Sequence, residues 1–179
     1  MQAKEILSFW FDELSDKQHF AKDEKLDALI DRRFAGIHRA AARGELFHWR
    51  DSPEGRLAEV IVLDQFPRNL FRGRAEAFAW DGMALVLAQD AVRAGADQHL
   101  PVKHKAFLYM PYMHSESPLI HQIAVQLFSQ PGLEFNLGFE RKHKAIIDRF
   151  GRFPHRNAVL GRISTPEETE FLSQPDSSF

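Results

Sequence analysis

Cysteine is absent from the 179 residues. That excludes disulfides, thiolate metal sites and cysteine nucleophiles, and it agrees with a reducing cytoplasm. Long apolar runs are missing too. The longest, Met83 to Ala88, is far too short to span a bilayer. The opening Met-Gln-Ala-Lys-Glu has no basic segment followed by an apolar one, so no secretory signal is expected. Neither sign of charge dominates: the net charge is −2, and no global field draws nucleic acid or an anionic membrane. Strand alternation bounded by hairpin turns is also lacking. So are a phosphate-cradling Gly-rich loop, a Gly-x-Ser-x-Gly elbow and a dinucleotide fingerprint. These absences predict a soluble cytoplasmic protein with no cofactor and with neither nucleic acid nor membrane as partner.

What is present is helical periodicity. Ile6, Leu7, Trp10, Phe11 and Leu14 share one face, and Leu26, Leu29, Ile30, Arg33, Phe34 and Ile37 mark a second helix that Gly44 terminates. Ser52-Pro53-Glu54 is a helix start, and its helix carries Leu57, Val60, Ile61 and Asp64 on one stripe. Asp81 is placed to cap a helix that stops at Gly95. Later segments cover about 102–113, 118–128 and 137–150, and Thr165-Pro166-Glu167-Glu168 is a capping box. The spacing predicts an all-α chain, with residues 1–172 as one domain and 173–179 as a frayed tail.

Three polar segments carry the candidate chemistry: Leu63-Asp-Gln-Phe-Pro-Arg-Asn69, Met110-Pro-Tyr-Met-His-Ser-Glu116 and Arg149-Phe-Gly-Arg-Phe-Pro-His-Arg-Asn157. With Phe9-Trp10-Phe11, Leu160-Gly161-Arg162 and the capping box, they resemble a bacterial family known only as domain of unknown function nine-two-four. The resemblance covers nearly the whole chain. It implies an α-α superhelix of about eight to ten helices, similar to tetratricopeptide-repeat proteins, and it implies no activity.

The residues themselves offer more. Asp64 lies on an apolar stripe, where a carboxylate needs a partner such as Arg68, Arg72 or Arg152. Pro111 loosens the helix ahead of His114-x-Glu116, a pattern that suits an oriented imidazole. A metal shared with His121 or His143 has weaker support, because the spacing is not that of helical zinc sites; no metal site is expected. His143 faces inward among Phe139, Ile146, Ile147 and Phe150.

From Arg141 to Arg162 seven Lys or Arg stand against one acid, a net of +6 that leaves −8 on the remainder. Three readings compete, of which a nucleic-acid patch is the weakest because the remaining −8 would repel a long polyanion. In one, Arg68, Asn69, Arg72, Glu116, His143, Arg152, Arg156 and Asn157 line a site for a small anionic ligand, with His114, His155 and Asp64 as candidate acid–base groups. In another, the arginines are internal staples to carboxylates and helix carbonyls. Phe66-Pro67-Arg68-Asn69 also echoes Phe153-Pro154-His155-Arg156-Asn157, either as a duplication or as a helix-stop device used twice. A groove for a peptide or protein partner is the alternative function.

Overall fold

The computed structural model describes residues 1–175 and 177; Asp176, Ser178 and Phe179 of the predicted tail lie outside the described residues. Among the described residues every regular element is helical. The chain divides into two compact units, 1–72 with 76–111, and 73–75 with 112–179. No linker marks the division, which falls at Pro111, inside a continuous helix.

In the first unit α1 (Ala3–Ser8) runs into a wide π-turn over Phe9–Glu13. The sequence pattern does not foresee that turn. It brings Phe9 inward beside Trp10, with Phe9 against Phe34 and Phe66 at ring distances of 4.7 and 6.2 Å. After α2 (Asp16–Phe20), α3 (Glu24–Ala42) is capped by Asp23, whose carboxylate accepts from the Lys25 and Leu26 amides. It stops at Gly44, whose positive φ of 73° lets the Gly44 and Glu45 amides turn back to Ala41 and Ala40 carbonyls.

The centre of this unit is α4 (Pro53–Asp64), opened as expected by Ser52 and Pro53. From Leu57 to Asp64 it is buried all round, and it packs on α1, α3 and α6 (Asp81–Arg93). Its two buried acids are paired. Glu59 accepts a two-pronged bond from Arg50 at 2.7 and 2.8 Å, and Asp64 meets Arg68 of α5 (Phe66–Leu70). Asp81 does not cap α6: Trp80 is the cap residue, and the Asp81 carboxylate is drawn to Arg68 instead. The unit ends within α7 (Val102–Met113), which continues helically through Pro111.

Gly55 is where α4 passes closest to a neighbour. A Cβ there would stand 1.9 Å from the Trp49 carbonyl oxygen. Gly55→Ala is therefore expected to cost about 3 kcal/mol, as overpacking against fixed backbone does. A melting temperature lowered by roughly 6–12 °C checks it.

The second unit contains α8 (Pro118–Phe128), α9 (Glu134–Phe150) and α10 (Pro166–Leu172). Helices α8 and α9 form a packed hairpin. Gly151, at φ 68°, ends α9 and returns the chain so that Phe153 enters a core with Ile146, Ile147, Phe150 and Phe171. Helix α9 begins three residues earlier than the periodicity suggests, at Glu134. The Thr165–Glu168 capping box forms as expected. No helix of the described residues is long and apolar enough to cross a membrane.

Candidate functional site

In the second unit, three of the histidines gather around one buried ring, and a fourth lies beside one of them. Phe153 has His121, His143 and His155 at ring distances of 6.2, 5.7 and 5.6 Å, and the Arg156 guanidinium carbon lies 4.7 Å over its face. His114 is 6.4 Å from His143. Local helix geometry explains the gathering. His121 shares the inner face of α8 with Ala124 and Phe128, and Glu140 and His143 share that of α9 with Ile146 and Ile147.

His121 is held on both nitrogens, by Glu140 Oε1 at 2.7 Å and the Ser115 carbonyl at 2.8 Å. A carbonyl only accepts, so Nε2 carries a proton and donates it. One further proton is then shared between Nδ1 and Glu140, and the buried pair is neutral overall wherever that proton sits. Burial pushes the Glu140 carboxyl up against the opposing hydrogen bond from His121, and Glu140 Oε2 has no hydrogen-bond partner among the described residues.

His143 donates from Nδ1 to the Phe139 carbonyl at 2.8 Å, which makes Nε2 its basic nitrogen. Burial, reinforced by the neighbouring His114, His121 and His155, lowers its pKa to about 3. A general base works best near the ambient pH. At that pKa the His143 ring is a weak base at neutrality and is better suited to a packing and hydrogen-bonding role.

The arginines around this cluster reach internal acids. Arg162 forks onto Glu116 at 2.7 and 2.9 Å and donates to the Phe153 carbonyl, while Glu116 also accepts from the Phe153 amide at 2.7 Å. Burial opposes the charge on Glu116, but Arg162 and the Phe153 amide outweigh it and hold the carboxyl below its ordinary value. From Arg162 the network continues through Asn157 to Glu168. Arg152 forks onto Glu168 at 2.6 and 2.8 Å, and that bond is the main reason its carboxyl falls to about 2. Arg156 donates to the His114 carbonyl at 3.1 Å.

The first polar segment finds its partners within the first unit. Arg68 reaches both carboxylate oxygens of Asp81 at 3.1 Å and lies 3.6 Å from buried Asp64, whose other oxygen accepts from Gln65. Asn69 and Arg72 both donate to Asp27, at 2.8 Å and at 2.6 and 2.7 Å. Burial raises the cost of charge on Asp27, yet those donors keep its carboxyl low. The echo between the two Phe-Pro segments has a physical meaning here. In each, a buried Phe plugs the core, and the following Asn and Arg tie the turn to acids elsewhere in the same unit.

Arg149 is different. Its guanidinium lies over Phe150 and Phe171 at 4.6 and 6.0 Å, and among the described residues it makes no hydrogen bond or ion pair. It borders a recess of about 370 Å³ whose floor is Ile146, Phe150 and Phe171 and whose rim includes Lys142. Along α9 this recess continues a stripe of Phe135, Phe139, Lys142, Ile146 and Arg149, spaced four, three, four and three. Phe135 is 73% exposed and Phe139 38%, so Phe139 does not face inward as the periodicity suggested; only its carbonyl serves His143.

The family model described as "Bacterial protein of unknown function (DUF924)" matches residues 6–176. The chain belongs to this family. The solved structure of the protein of unknown function ATU0120 from Agrobacterium tumefaciens is 40% identical, covers 95% of this chain and 96% of its own, and superposes with a TM-score of 0.90. No curated protein matches.

In this DUF924 chain the candidate residues thus fall into two sets. His114, Glu116, His143, Arg152, His155, Arg156 and Asn157 come together in the second unit, while Asp64, Arg68, Asn69 and Arg72 are engaged in the first. No group of three or more His, Asp or Glu among the described residues is placed to hold a metal ion. Sequence reasoning missed Glu140 and Glu168 as partners and left His121 only as a metal candidate. Glu140 was detectable: it lies three residues before His143 on the same inward face. Glu168 was hidden behind its capping role, which it performs together with its salt bridge.

Proposed function

We propose that this protein is a binding module for another polypeptide, and that the exposed face of α9 is its docking surface. The observation that carries this reading is the stripe on α9: two exposed phenylalanines lead into an apolar recess whose rim is cationic. Exposed aromatic rings beside a recess suit the anchor residues of a partner. A small-anion site at the arginine cluster has less support. The forks it requires are filled by Glu168 and Glu116 in one unit and by Asp81 and Asp27 in the other. A ligand would have to exchange with an internal carboxylate. Paired helices that present a groove are the working principle of tetratricopeptide-like superhelices, and the α8–α9 hairpin fits that reading. Absence of cysteine agrees with a cytoplasmic site of action.

The test is selection from a random peptide display library, with binders re-measured on a Phe135→Glu/Phe139→Ala variant that retains its helical circular dichroism. Selected peptides should lose at least tenfold in affinity on the variant. Binders indifferent to both substitutions, or none at all, would refute the reading.

A further inference from the structure

Resting on the α9 docking surface just proposed, we infer that its partner is an acidic amphipathic helix. The stripe Phe135, Phe139, Lys142, Ile146 and Arg149 repeats every 3.5 residues on average, the period at which one helix follows another along its length. It runs for about 21 Å at the helical rise, enough for roughly four turns of a partner. An extended strand would alternate its side chains every second residue and would not follow this spacing.

Charge selects the partner's composition. Arg149 has no carboxylate partner among the described residues, and Asp148, next to it in the chain, is tied to Lys144 at 2.5 Å. The Arg149 guanidinium lies over two rings and makes no hydrogen bond among the described residues, so its donors stay available for a carboxylate while apolar anchors settle in the recess lined by Ile146, Phe150 and Phe171. Of the four arginines in the segment 149–162, Arg152, Arg156 and Arg162 are engaged internally. Arg149 is the one presented outward. A second copy of this chain is a poorer occupant. An antiparallel self-pair along the stripe would set Lys142, at its midpoint, against its own image, and like charges there repel.

The inference is tested by fluorescence anisotropy with two labelled 18-residue helical peptides that share leucines at a 3,4 spacing. One carries glutamates on its flanks, the other lysines. The acidic peptide should bind at least tenfold more tightly, weaken with added salt, and lose that preference on Lys142→Glu/Arg149→Glu, whose sites are exposed. Arg149→Gln should give an intermediate loss. Equal binding of the two peptides, preference for the basic one, or a concentration-dependent dimer abolished by Phe135→Glu would overturn the inference. If display selection yields α9-dependent peptides that are not acidic, the docking surface stands and only the partner's charge is wrong. If selection yields none, the surface itself falls.

Discussion

Lowering the pH from about 6.5 to 4.5 is expected to remove about 2–3 kcal/mol of stability through His38 and a similar amount through His143. His38 is 2% exposed, packed edge-on to Trp80 at 4.4 Å and beside Phe71 at 5.5 Å, and its Nε2 is buried with no hydrogen-bond partner among the described residues. Burial, helped by the nearby Arg39 charge, lowers its pKa to about 4. His143 reaches about 3, again chiefly through burial. Both native values lie below the ordinary 6.5 of an unfolded histidine. The unfolded chain therefore binds these protons first, the stability they represent is complete above pH 6.5, and it declines as pH falls towards the native values. His19 and His104 shift in the same direction. Glu140 opposes them, because its native carboxyl is held up rather than down.

The combined loss is comparable to the whole stability of many domains. Urea unfolding at pH 7.5, 6.0, 5.0 and 4.5 measures it, and His38→Gln or His143→Gln should each flatten the profile while lowering stability at pH 7.5. A profile level across that range in the unaltered protein would defeat the prediction.

Glu116→Ala is expected to destabilise the second unit by about 2–4 kcal/mol, the range for breaking a largely buried pair. The substitution strands the Phe153 amide and takes the only carboxylate from Arg162 among the described residues, leaving its guanidinium with Asn157 and the Phe153 carbonyl. Phe153 is the ring about which the histidines gather, so the loss should spread beyond the ion pair. Glu116→Gln should cost less, because its carbonyl oxygen still accepts from the amide. Equilibrium unfolding gives the magnitude, and amide exchange at Phe153 gives the location. An alanine variant as stable as the parent, with the Phe153 amide still protected, would show that the staple is dispensable.

Much of the molecule was legible in the chain itself. Helix ends were read correctly where the signal is local: Ser52-Pro53, Thr165 with Glu168, Gly44 and Gly95 all act within a few residues of the helix they bound. Asp81 misled because a capping carboxylate and a salt-bridge partner look alike in sequence, and Arg68, thirteen residues away, won it. The π-turn at Phe9–Glu13 escaped because its widening answers to the packing of Phe9 on Phe34 and Phe66.

The sequence by itself determined the helical class, the caps at Ser52 and Thr165 and the family, since each depends on residues close together or on motifs read directly. It also identified Arg149–Arg162 as the segment of concentrated charge. Only the tertiary structure decided what those cations touch. Glu116 and Arg162 are 46 residues apart, and no local pattern encodes that meeting. Burial then makes each pairing obligatory, because a charge removed from water requires an opposite charge or several donors. Three arginines were thereby turned inward as staples, and Arg149, left over two phenylalanines at the edge of a recess, became the one that faces out.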